Sequence, residues 1–294
     1  MSRLSKESAA TVRGRLNRVA HFFRPGATAA TFPWHELRYE DIQRLRGHLA
    51  DAGAPTTANT TLSFVRETLR TAWRLGLLDA EELERVLDVE RVRGESLPAG
   101  RALALHEVRA LINAAGKDVR RWRARRDAAL VVILYCAGIR RFEAAQLQVE
   151  EVEDDNGRLW LIVRGKGNKK RRVPLPRDAR AVVDAWLKTL GRATGPLFPA
   201  GARRGRRLAG KSMRKENVGK IIKRLVERAA LDHASPHDFR RTFISNLLDE
   251  SGDVGAIQKL AGHADVTTTL RYDRRGERAK VAAVDKLPLP FGGP

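Results

Sequence analysis

The chain has 294 residues, with 56 Lys and Arg against 35 Asp and Glu, and a formal net charge of +21 at pH 7. At 43% hydrophobic and 31% charged residues it can bury a core, and its longest nearly apolar run, 128–139, falls short of the roughly 20 residues that span a bilayer. A single cysteine, Cys136, excludes an intramolecular disulfide and a cysteine-based zinc cluster, and so strong a positive field points to polyanions, nucleic acid above all.

The opening MSRLSKESAA has no apolar signal core, so a cytoplasmic location is expected. Val12, Leu16, Val19, Phe22 and Phe23 recur at helical spacing, as do Ile42, Leu45 and Leu49. A third helix is predicted from Asn59 to Leu75, with Leu62, Val65, Leu69, Ala72 and Trp73 on one face and Gly76 as its stop. A fourth covers Ala80 to Leu87. These define a helical domain at 1–90. Residues 91–102, RVRGESLPAGRA, carry no period and read as a linker to a second domain at 103–294. There a helix bears Glu107, Val108, Leu111 and Ile112. A mostly buried one runs from Arg126 to Ala137 and ends at Gly138, and another carries Phe142, Ala145 and Leu147.

The period then changes. Leu159–Val163 and Arg172–Leu175 are predicted strands flanking a turn at Gly165–Asn168. Helices return at Asp178–Leu190, Met213–Ala230, Pro236–Leu248 and Val254–Ala261, with Ser212, Asp232 and Ser235 at N-cap positions. The expected fold class is mainly α with a small antiparallel β-sheet or hairpin, in two domains.

Basic residues cluster twice. Arg164–Arg180 holds eight against one acid, Asp178, and Arg203–Lys223 holds nine against Glu216. One such run is as consistent with a solvated face. Two in a chain of this charge point to phosphate contact. Lys169, Lys170, Arg171, Arg172, Arg203, Arg204, Lys211, Arg214 and Lys215 are the expected DNA-facing set.

Gly205–Ser212 fits the phosphate-loop pattern G-x-x-x-x-G-K-[ST]. That loop needs a buried strand before it, and the preceding LFPAGARR is loop-like and basic. Nor does an apolar strand ending in Asp follow to hold magnesium. ATP binding is therefore not expected.

Four separated pieces carry reactive side chains. They are Cys136-Ala-Gly-Ile-Arg140-Arg-Phe-Glu143, Gly165-Lys166-Gly-Asn-Lys-Lys, His237-Asp-Phe-Arg240-Arg-Thr-Phe243, and Leu260-Ala-Gly-His263 with Tyr272 nine residues on. Each alone has an ordinary explanation: a surface arginine, a turn lysine, a helix-pairing histidine, a half-buried tyrosine. Together, in this order, they resemble the tyrosine recombinase (phage integrase) family. Its pattern runs T-G-L-R-x-x-E, a lysine in a β-turn, H-x-x-R, L-G-H, and a tyrosine nine residues later. The departures here are Ala137 for Thr, Ile139 for Leu and Phe142 for a small residue, and none removes a reacting group.

The resemblance covers nearly the whole chain. It implies a helical core-binding domain followed by an α-rich catalytic domain. It also implies attack on a DNA phosphodiester by Tyr272, leaving a 3′-phosphotyrosyl link and a free 5′-hydroxyl, with no ATP, metal or other cofactor. Arg140 and Arg240 would clamp the phosphate, with His263 as a further donor. His237 would be the base and Lys166 the general acid, with Glu143 orienting the site. The implied partner is double-stranded DNA carrying specific recombination sites, with a homotetramer on two of them, at the nucleoid. The tail Tyr272-Asp-Arg-Arg-Gly276 looks like integrases of mobile elements, although the two-domain size is that of Xer proteins too. Val281, Ala282, Val284 and Leu287 could pack on their own domain or on a neighbour. The alternatives are a type IB topoisomerase-like relaxing enzyme and a non-catalytic DNA-binding regulator.

Overall fold

The computed structural model describes residues 6–94, 100–165, 168–200, 210–270 and 272. The chain divides into two compact units, Met1–Ala99 and Gly100–Pro294.

The first unit holds α1 (Lys6–Phe23), α2 (Tyr39–Asp51), α3 (Pro55–Arg74) and α4 (Ala80–Asp88). Pro55 opens α3, where its missing N–H is one of the donors a helix leaves unpaired anyway. Asp79 caps α4 by accepting from the Glu82 N–H at 2.7 Å. Leu62, Val65 and Leu69 on α3 bury against Leu16, Val19, Ile42, Leu45 and Val86. Trp73, expected on the same face, sits in the last turn of α3 and is 43% exposed.

The expected linker is anchored at both ends. Asn59 mimics a strand partner: its side chain accepts from the Val92 N–H at 2.9 Å and donates to the Val92 carbonyl at 3.0 Å. On the far side, Asp238 accepts from the Arg101 N–H at 2.9 Å, and Arg241 Nη1 donates to the Gly100 carbonyl, also at 2.9 Å.

The second unit is built around α6 (Arg121–Ala137), whose Ala129–Leu134 run is buried on every side. It packs against α5 (Leu105–Gly116), α8 (Ala179–Leu190) and α10 (Pro236–Glu250). The other elements are α7 (Arg141–Gln146), α9 (Lys215–Arg228), α11 (Val254–Ala261) and α12 (Val266–Leu270). A three-stranded antiparallel sheet runs in the order β1 (Val152–Asp155), β2 (Arg158–Arg164), β3 (Lys170–Pro174). Leu161 pairs with Val152 on one side and Val173 on the other. Leu159, Leu161 and Val163 face the core in strict alternation.

Several boundaries differ from expectation. β1 is an extra strand. α9 begins at Lys215 rather than Met213, because Ser212 is held in a bridge to Pro199 and Arg214 takes the N-cap position. Asp232 caps no helix, whereas Ser235 does precede α10, its N–H and hydroxyl both donating to Asp238 at 2.8 Å. α12 had no sequence signal. Among the described residues, no helix is long and apolar enough to cross a membrane.

Candidate active site

Helix ends make the site. Gly138 closes α6 in the left-handed conformation (φ +55°), and a Cβ there would lie 2.2 Å from Cδ1 of Phe243. Gly262 closes α11 in the same way (φ +66°). Such ends leave carbonyls without intrahelical partners, at the negative pole of the helix. Arg240, on α10, takes one from each: Nη1 donates to the Gly138 carbonyl at 2.9 Å and Nη2 to that of Ala261 at 2.7 Å. Its side chain is buried. Burial, and then the charge of Arg140, lower its pKa to about 10, so it stays cationic at neutral pH.

Arg140 sits just before α7. Its N–H donates to Glu143 Oε2 at 2.9 Å, and its Nη1 to Oε1 of the same carboxylate, also at 2.9 Å. Its Nη2 reaches the Gly262 carbonyl at 3.2 Å. The two guanidinium groups therefore hang from consecutive carbonyls, 261 and 262. Glu143 is buried, which alone would raise its pKa. The hydrogen bonds and charge of Arg171, with the Arg140 N–H and charge, outweigh that and hold it below the ordinary value. The carboxylate therefore remains an anchor over the physiological range.

The three residues after Gly262 lead into α12, which turns the chain back so that Tyr272 returns beside His263. The two rings are nearly parallel, 14° apart with centroids at 6.1 Å. His263 Nδ1 lies 2.7 Å from Oγ1 of the fully buried Thr269, and the Thr269 carbonyl accepts from the Tyr272 N–H at 3.0 Å. Burial, then Arg240 and Arg140, push the His263 pKa down to about 4, so its ring is neutral. The Tyr272 hydroxyl lies 3.5 Å from His237 Nε2. Burial and the Arg240 charge also lower the His237 pKa, which favours its neutral ring. Arg241 places its guanidinium carbon 5.8 Å from the Tyr272 ring centroid.

Arg140, Glu143, His237, Arg240, His263 and Tyr272 are thus brought together. Lys166, Arg203, Arg204 and the tail at 273–294 lie outside the described residues. The root of the Lys166 turn is closed by a hydrogen bond from the Gly165 N–H to the Lys169 carbonyl at 2.8 Å. Lys169 and Lys170 are exposed on that hairpin, and Lys211 and Arg214 are exposed before α9, where Lys215 is half-buried.

Two members of the basic set are engaged within the chain. Arg171 is not a free surface cation: its side chain is 12% exposed and its guanidinium grips Glu143. Arg172 stacks on Trp160 at 4.1 Å and pairs with Glu153 and Asp155, with its side chain 42% exposed. Sequence reasoning missed the inward role of Arg171 and missed Thr269 altogether. Cys136, half-buried, has its pKa raised to about 11 by burial, which makes it an inert thiol.

Two cations and a neutral imidazole beside a phenol suit an anionic group that gains charge as it reacts. Arg140 and Arg240 repel one another, and an anion between them relieves that repulsion.

Residues 101–278 match the phage integrase family. The chain is 32% identical over 247 residues to tyrosine recombinase XerC of Alcanivorax borkumensis, covering 82% of this chain and 76% of that one. It is 30% identical over 258 residues to tyrosine recombinase XerA of Thermococcus kodakarensis, covering 86% and 85%. In fold it is similar to the XerH recombinase bound to its palindromic difH substrate, with a TM-score of 0.69 at 18% identity over 94% of this chain and 79% of that one.

Proposed function

The chain is a member of the phage integrase family, the tyrosine recombinases, and from that premise we propose how its own residues act in site-specific DNA recombination. The Tyr272 oxygen attacks a scissile phosphodiester. A phosphorus–oxygen bond to the phenol forms as the bond to the 5′-oxygen breaks. His237 takes the phenolic proton, and the leaving 5′-oxygen gains one from Lys166, which is assigned on the family resemblance. A 5′-hydroxyl from a partner strand then reverses the sequence and reseals the DNA. The bond energy stays in the phosphotyrosyl link, so no ATP is required.

Arg140 and Arg240 hold the non-bridging oxygens, where negative charge builds in the transition state. His263 acts as a neutral donor. When Nδ1 accepts from the Thr269 hydroxyl, the ring proton is left on Nε2 and can serve the phosphate. The observation that carries this reading is the 3.5 Å approach of the Tyr272 hydroxyl to His237 Nε2 beside two arginines.

The working partner is duplex DNA with specific sites, held partly by Lys169, Lys170, Arg203, Arg204, Lys211, Arg214 and Lys215. A lambda integrase tetramer bound to a Holliday junction shares the fold, with a TM-score of 0.64 at 17% identity. By analogy this chain acts as a homotetramer on two sites, at the nucleoid in the cytoplasm. The chemistry is common to Xer-type recombinases and mobile-element integrases.

The test is to select duplexes that this protein binds from a random-sequence pool and place two copies of the winner on one supercoiled plasmid. Deletion or inversion between the copies is expected. Relaxation without any exchange would favour the topoisomerase-like alternative.

A further inference from the structure

Arg171, on β3, makes three polar contacts, all inward. Nη1 and Nη2 donate to Glu143 Oε1 and Oε2 at 3.0 and 2.7 Å, and Nε donates to the Leu260 carbonyl at 2.8 Å. Its side chain also fills the space over Gly262, where a Cβ would come within 3.0 Å of Nη1. The root of the Lys166 turn lies on the same bracket: a Cβ on Gly165 would be 3.7 Å from Glu143 Oε1 and 3.8 Å from Arg171 Nη1. One guanidinium thus meets three parts of the site: the carboxylate that holds Arg140, the end of α11 that carries His263, and the base of the hairpin.

We infer that Arg171 is a positioning residue, which holds Glu143 and the 260–262 turn so that Arg140 and His263 meet the phosphate in register. The inference rests on the proposed role of Arg140 as a phosphate clamp. Only arginine fits the task. A bidentate grip on a carboxylate plus a third bond to a carbonyl needs the planar fork, and lysine has a single nitrogen to offer. The arrangement also accounts for the buried Glu143, whose two oxygens are shared between Arg140 and Arg171.

The test uses the full chain and a duplex it cleaves, prepared with either a normal scissile phosphate or a methylphosphonate, in which one charged oxygen is replaced by methyl. Cleavage is measured in a single turnover at saturating DNA, with affinity measured separately. Arg140→Ala and Arg171→Ala are each expected to lose about a hundredfold on the charged phosphate, the scale of one displaced preorganised donor. Their double variant should lose no more than the worse single one, since both act through one interaction. On the uncharged phosphate both should approach the wild-type rate. If circular dichroism finds Arg171→Ala unfolded, Arg171→Lys carries the same comparison.

Wild-type cleavage by the Arg171 variant overturns the inference. So does an equal loss on both substrates, which would mark a general defect. A pure loss of affinity with a shallower salt dependence also overturns it, by making Arg171 a direct DNA contact. Wild-type cleavage by Arg140→Ala instead overturns the clamp reading itself, and the inference falls with it.

Discussion

Arg140 and Arg240 donate to the carbonyls of adjacent residues, Gly262 at 3.2 Å and Ala261 at 2.7 Å, although they come from segments one hundred positions apart in the chain. The end of α11 is therefore the common mount for both cations, and His263 follows it directly. A shift of that one helix end moves Arg140, Arg240 and His263 together.

Arg240 tests how strictly that mount depends on arginine. Lysine keeps the charge but cannot bridge the Gly138 and Ala261 carbonyls. Arg240→Lys is expected to slow single-turnover cleavage by about 10²–10³. Duplex affinity, measured by fluorescence anisotropy, should change little. Cleavage at the wild-type rate would remove Arg240 from the clamp.

The pH dependence follows from His237. Its pKa lies below the ordinary value of about 6.5, first through burial and then through the Arg240 charge. A base must be unprotonated, so cleavage is full above this pKa and is lost as pH falls through it. The acid limb of the rate profile should therefore have its midpoint below pH of about 6.5. His263, with its pKa near 4, is neutral across the neutral range and adds no second limb there. A midpoint above the ordinary histidine value would contradict His237 as the base.

Thr269, fully buried, meets His263 through its hydroxyl and holds the turn to Tyr272 through its carbonyl. Thr269→Val keeps the shape and removes the hydroxyl. One neutral hydrogen bond is worth about 1 kcal/mol, so cleavage should fall about fivefold to tenfold at unchanged DNA affinity. An unchanged rate would leave the His263 tautomer without its proposed support.

Gly138 tests the helix end. Gly138→Ala forces a side chain into left-handed backbone and against Phe243. Destabilisation of about 1–3 kcal/mol is expected in urea unfolding, with cleavage lost as the Gly138 carbonyl, which accepts from Arg240, moves. Phe243→Leu in the same chain should recover part of the stability. Absence of any stability change would mean that the backbone here relaxes freely.

Much of this was legible in the sequence because the chemistry sits at helix boundaries with fixed spacing. Gly138 before Arg140, Gly262 before His263, and His237 one turn before Arg240 can each be read locally. What escaped depends on distant partners. The VEDD of β1 lacks strand propensity, since Asp and Glu are poor strand residues. It is held by pairing with β2 and by Arg172 and Arg180, which neutralise its carboxylates. Arg171 read as one more cation in a basic run because its partner, Glu143, lies 28 positions away. Thr269 is an ordinary residue in a short helix until the fold brings it against His263. Ser212 looked like a cap because composition does not reveal that it pairs with Pro199.

The most direct measurement uses a duplex nicked just beyond the cleavage point, so that the released 5′-hydroxyl fragment diffuses away and the covalent intermediate accumulates. The wild-type protein should form a protease-sensitive DNA adduct, with the nucleotide mass on the peptide containing Tyr272. Tyr272→Phe should bind the same duplex equally well and form none. An adduct with the phenylalanine variant, or one mapped to a different side chain, would contradict the account.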